Sequence, residues 1–178
     1  AQGLAAVWAE ENTRESILAA FRRREVYATT GPRMQVRFFA GWDFAASDAD
    51  AANLVERGYD KGVPMGGDLA GPPPKQSGFA ALFGGDDPAP SFLIHVAKDP
   101  RSANLDRVQV VKGWLASDGT TSERVYDVAW SGDRAPGDDG LIGAVGNTVD
   151  LEAGTYTNDI GAAELAQVWT DPDLSLIH

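Results

Sequence analysis

The chain has 178 residues and a net charge of −11, from 26 acidic and 15 basic side chains. That length suits one domain with a core of its own, and a field of that sign repels phosphate backbones and anionic lipid, so nucleic acid and membrane surfaces are poor partners. Hydrophobic residues make up 43%, too many for a disordered chain, and there is no cysteine, which removes disulfides, thiolate catalysis and sulfur-ligated metals.

The opening AQGLAAVWAEEN lacks the basic start and long apolar centre of a signal peptide. The expectation is that no leader exists, that one has been removed, or that the chain starts inside a longer protein. Cytoplasm and periplasm fit the composition equally well. Residues 12–25, NTRESILAAFRRRE, predict a helix capped by Asn12, with Glu15 three residues on and Ile17, Leu18 and Phe21 as its apolar stripe. Arg22, Arg23 and Arg24 fall in the last turn, where cations suit the negative end of the dipole. EVYATT is strand-like, and RMQVRFFAGW alternates, with Met34, Val36 and Phe38 on one face and Gln35, Arg37 and Phe39 on the other. SDADAANLVERG reads as one amphipathic helix from Ser47, ended by Gly58 in the position after the C-cap; a rival reading makes part of it strand.

Residues 62–90 are rich in glycine and proline, and Pro72, Pro73 and Pro74 forbid helix or central strand there. A loop this long is either functional or disordered. Three strands follow, in SFLIHVAKD, NLDRVQVVKGWL and SERVYDVAWS, the last two joined by a hairpin at Asp118-Gly119. Two more lie near 147–152 and 163–169. The fold class is therefore mainly β, an antiparallel sandwich preceded by a short helix and strand piece.

Candidate chemistry is sparse. Of the two histidines, His178 ends the chain and His95 sits in a strand opposite Phe92, Ile94 and Val96, where a surface or interface role is the ordinary one. No local ligand pair, nucleophile elbow or phosphate loop is present. The acidic run GDDG at 137–140 lacks calcium-loop spacing. Asp68, in PMGGDL, is a ligand-binding candidate because its flanking glycines permit close backbone approach. Thr30 and Arg33, in TTGPR, are the others, since a hydroxyl and a guanidinium suit a phosphate or carboxylate; the plainer reading of Gly31-Pro32 is an elbow between two modules, and the residues favour it. The five tryptophans, Trp8, Trp42, Trp114, Trp130 and Trp169, suit either a carbohydrate platform or packing, and their strand positions favour packing.

Several long motifs, GLAAVWAEENTRESILAAFRRREVYATTGPRMQVRFFAGWDF, GVPMGGDL, DPRSANLDRVQVVKGWL, YTNDIGAAEL and VWTDPD, resemble the closing part of a bacterial family of unknown function related to the PHP (polymerase and histidinol phosphatase) metal-dependent hydrolases. The resemblance implies that residues 1–33 are the closing βα elements of a barrel and 34–178 a β-sandwich-like accessory domain. It implies that the divalent metal and its histidines belong to an upstream barrel of the same parent, which becomes this chain's principal partner. Glu10, Glu11, Thr29, Thr30 and Arg33 then fall in a segment bordering the barrel mouth, with no catalytic role assigned to them. The resemblance further implies a strand beyond DPD, so that a chain ending at LSLIH leaves an open sheet edge for a second copy. The expectation is a chain inactive alone, holding no cofactor, that serves a hydrolase of unknown substrate; the alternative is an independent carbohydrate- or protein-binding module.

Overall fold

A computed structural model of the chain describes residues 3–72 and 89–173. Pro73, Pro74, His178 and most of the predicted 62–90 loop lie outside them.

The chain begins with strand β1 (Leu4–Val7), helix α1 (Arg14–Arg22) and strand β2 (Val26–Thr29). Helix α1 is capped by Thr13, whose hydroxyl accepts the Ser16 amide at 3.3 Å, so the cap lies one residue beyond Asn12. Its end is a Schellman turn: the Arg24 amide donates to the Phe21 carbonyl and the Glu25 amide to the Ala20 carbonyl. Arg24 holds the left-handed conformation usually given to glycine there, with φ 63°. β1 and β2 pair antiparallel, Leu4 opposite Thr29 and Val7 opposite Val26, and no barrel closes among the described residues.

Strand β3 (Gln35–Gly41) follows, then a short 3₁₀ turn (Ala46–Asp48), helix α2 (Leu54–Lys61) and strand β4 (Gly62–Pro64). The expected single helix from Ser47 is thus two pieces, and Gly58 lies inside α2 instead of ending it. The Asp48 carboxylate explains the break. It is fully buried and accepts the Ala45 amide at 2.9 Å, Lys61 Nζ at 2.7 Å and Arg57 Nη1 at 2.6 Å, which ties the turn to the far end of α2. β4 shows that the predicted loop starts with an edge strand, where Pro64 is tolerated.

β5 (Ser91–Ala97), β6 (Arg107–Leu115), β7 (Thr121–Trp130), β8 (Val149–Asp150), β9 (Thr155–Tyr156) and β10 (Glu164–Thr170) complete the chain. One antiparallel sheet runs β10-β5-β3-β4, and β6-β7 and β8-β9 are hairpins. The period-two pattern sorts the large sheet as predicted. Phe38, Ile94, Val96 and Trp169 face the β6-β7 hairpin and pack with Val108, Tyr126 and Val128. Phe92 stacks on Trp169 at 5.4 Å, and Tyr126 meets the same indole at 5.1 Å. On the opposite face Phe39 and Leu93 pack with Phe44 and Leu54, so α2 covers it. The fold is mainly β and antiparallel, with two sheets face to face and a helix behind the larger one.

The VWTDPD motif bolts the two sheets together. Lys112 on β6, with its side chain 9% exposed, pairs with Asp171 at 2.7 Å, while Arg124 and the Tyr126 hydroxyl from β7 donate to Asp173 at 2.8 and 2.6 Å. Burial and then that Asp173 bond push the Tyr126 phenol up to about 12.

Asp48 yields an acid-stability prediction. The Lys61 bond, helped by the Ala45 amide and Arg57, holds its carboxyl down at about 2 against an ordinary 3.8. A depressed folded-state pKa contributes stability above pH 4, and that contribution disappears as pH falls from about 4 to about 2. Asp48→Asn is expected to cost about 2 kcal/mol at pH 7, less than a fully buried pair because Lys61 and Arg57 reach solvent. The gap from the parent chain, read from urea midpoints, closes towards pH 2; an equal gap at pH 7 and pH 2.5 refutes this account.

Candidate functional site

Where the first three elements meet the large sheet, charged groups gather around a pocket of about 440 Å³ lined by Trp8, Glu10, Arg23, Glu25, Arg37 and Tyr59. Each is placed by a separate local cause. Glu25 is the residue after the left-handed turn of α1, which reverses the chain and aims its side chain inward. Arg37 sits on the β3 face that carries Phe39, and Tyr59 comes from α2 with its ring edge on Phe39 at 5.1 Å. Trp8 follows β1 and donates its indole N–H to the Val36 carbonyl at 2.8 Å.

Glu25 is the centre. Its side chain is only 3% exposed. One carboxylate oxygen accepts Arg23 Nη2 at 3.2 Å; the other accepts the Tyr59 hydroxyl and faces Arg37 at 3.8 Å. Arg37 donates to Tyr59 at 3.2 Å and lays its guanidinium 3.3 Å above the Trp8 ring. Burial, followed by the Glu25 hydrogen bond, raises the Tyr59 phenol above its ordinary value. Both oxygens of Glu25 are engaged by protein donors. The cluster is a polar seam that locks β1-α1-β2 onto β3 and α2. Glu10 also lines this pocket.

The predicted candidates lie elsewhere. Thr30 is exposed just past β2. Arg33 is exposed, and its backbone amide, not its guanidinium, binds Asp99 at 2.8 Å, an anchor that holds the Asp99 carboxyl below its ordinary range. TTGPR is thus a turn from β2 to β3, pinned to the end of β5. Asp68 is exposed and pairs with Arg24 at 3.0 Å. Its neighbouring glycines do serve a close approach, but to protein: Gly66, at φ 79°, has no room for a Cβ, which would lie 2.2 Å from the Arg24 carbonyl oxygen. No hydrogen bond or ion pair among the described residues joins Thr30, Arg33 and Asp68 to one another. His95 faces α2 and lies 3.6 Å from Glu164.

Sequence reasoning missed Glu25 and Tyr59. The available signal was a lone acidic residue directly after three arginines, at the junction of helix and strand. The tryptophans form no exposed platform. All five are partly buried; Trp42 and Trp130 donate to the Ala70 and Arg134 carbonyls. Among the described residues no group of three or more His, Asp or Glu side chains converges to hold a metal ion. The described side chains supply no donor set that fits a metal centre.

Comparison with known families matches residues 1–177 to the one described as Protein of unknown function (DUF3604). The chain belongs to that family. No curated protein and no solved structure matches it. The DUF3604 match spans the first three elements and the sheets alike.

Proposed function

We propose that this DUF3604 chain is the accessory β-rich part of a larger metal-dependent hydrolase of the PHP type, packed against a catalytic barrel supplied upstream in the same parent. The observation that carries this reading is an apolar surface on the first three elements. Leu4, Leu18 and Phe21 are each 40 to 48% exposed. Ile17, Leu18 and Phe21 line a shallow trough of about 580 Å³ on α1. A helix stripe at this spacing is ordinarily buried, and here the seam fixes its unit in place while leaving the stripe open. A barrel preceding β1 is the occupant this reading assigns to it. The parent's chemistry is then hydrolysis of an ester, phosphoester or amide, and the metal and its ligands belong to the barrel.

The test uses metal analysis and a phosphatase and esterase panel on the chain alone, beside the full parent carrying Leu18→Glu with Phe21→Glu. The chain alone is expected to hold no stoichiometric zinc or manganese and to turn nothing over. In the parent, the double substitution is expected to cut activity at least tenfold while leaving metal content unchanged. Stoichiometric metal with turnover in the chain alone, or a fully active double variant, overturns the proposal.

A further inference from the structure

Distant in sequence from Glu25, the segments DPRSANLDRV and YTNDIGAAEL interlock. The Asn104 side-chain amide donates to the carbonyls of Asn158 at 3.0 Å and Ile160 at 2.8 Å, and the Asn104 backbone amide donates to Asn158 Oδ1 at 2.8 Å. Asn158 is held left-handed at φ 55°. Gly161, at φ 83°, packs so closely that an added Cβ would lie 2.7 Å from Asn104 Cβ. Asparagine is among the non-glycine residues that tolerate this conformation best. Beside this braced floor lies a pocket of about 520 Å³ whose further walls come from residues 145–149 and β9.

The lining has a specific chemistry. Asn147 Oδ1 accepts the Val149 amide, and Asn158 Oδ1 accepts the Asn104 amide. Those bonds fix each side chain's orientation. They leave both NH₂ groups without a protein partner among the described residues. Arg101 and Asp106 are the charged residues of the lining, and the Asp106 carboxylate is already engaged, by Arg134 at 2.6 Å and Arg107 at 3.5 Å. Tyr156 is 56% exposed and offers a ring face. Planar amide donors beside an exposed aromatic side chain are what a hydroxyl-rich, uncharged ring compound can use: hydroxyls to the amides, apolar C–H face to the ring. The overall charge of −11 disfavours phosphorylated ligands.

We propose that this pocket is a binding site for a neutral oligosaccharide, with Tyr156 as the stacking residue and Asn147 and Asn158 as hydroxyl-binding residues. It needs neither the barrel nor a metal, so it stands or fails separately from the hydrolase reading. The test is titration of the chain with cello-, xylo-, manno-, galacto- and chito-oligosaccharides, followed by calorimetry and by backbone amide shifts. At least one probe is expected to bind with millimolar affinity or better and to shift amides in 101–106 and 145–160. Tyr156→Ala and Asn147→Ala, both at exposed positions, are expected to weaken it at least tenfold with unchanged thermal unfolding. No binding to any probe, shifts confined to other parts of the chain, or affinity unmoved by both substitutions overturns the proposal.

Discussion

Glu25→Ala is expected to destabilise the chain by about 3 kcal/mol. Removing one partner of a buried ion pair strands the other charge, at a cost of about 3–5 kcal/mol. Two guanidiniums are stranded here, but unequally. Arg23 is 46% exposed and regains water, whereas Arg37 is 16% exposed and stays pressed against Trp8. The lower end of the range follows. At this chain length the loss lowers Tm by roughly 6–12 °C. Glu25→Gln keeps the shape and one acceptor for Tyr59 but not the charge, and about 2 kcal/mol is expected. Urea unfolding measures both. Hydrogen exchange adds a local readout: the amides of β1 and β2 should lose protection before those of β5, because the seam is what holds that unit on the sheet. A loss below about 1 kcal/mol for Glu25→Ala refutes the view of the seam as the chief latch.

Gly58→Ala is expected to cost about 2–3 kcal/mol, against the sign that helix propensity assigns. In an exposed helix interior the same change stabilises by about 1 kcal/mol. Here an added Cβ would lie 2.4 to 2.6 Å from three atoms of the Phe39 ring. Phe39 is 1% exposed and sits in the core with Leu93, Phe44 and Leu54, so the ring has no empty space to enter. α2 must lift from the sheet, and overpacking of this kind costs about 1–3 kcal/mol or somewhat more. The Phe39→Leu background provides the control. If the clash is the cause, Gly58→Ala costs at least 1 kcal/mol less there, a coupling that a double-mutant cycle isolates. A neutral or stabilising Gly58→Ala sinks the argument. Lifting α2 also withdraws Tyr59 from Glu25, so the two predictions meet in the same seam.

The strands were legible because each follows a local rule. Met34, Val36 and Phe38 alternate with Gln35, Arg37 and Phe39, and a sheet with two covered faces sorts them by parity alone. Asp118-Gly119 closes β6-β7 because the turn needs a residue at positive φ, and Gly119 takes 85°. α1 was legible apart from its cap, where Asn12 and Thr13 both qualify chemically and only backbone geometry chose Thr13. The stretch 46–61 was misread because its determinants are long-range: the glycine that resembled a helix end is a contact with Phe39, and the break at Asp48 answers to Lys61 and Arg57.

The candidate sites divide along the same line. Thr30, Arg33 and Asp68 were chosen by residue type in turn-forming contexts, and the fold places all three at the exposed surface. Glu25, Arg37 and Tyr59 stand far apart in sequence, on the junction after α1, on β3 and on α2, and none carries a local signal of the others. Asn104 and Asn158 are likewise 54 positions apart.

By itself the sequence determined the chemical class of the chain, acidic and without thiols, and the order and face of its main strands, because composition and period-two patterning act through neighbours along the chain. Only the tertiary structure decided which charges are buried together, which glycines are contacts instead of ends, and where pockets open. Those depend on desolvation and on distances between elements, which no local pattern encodes.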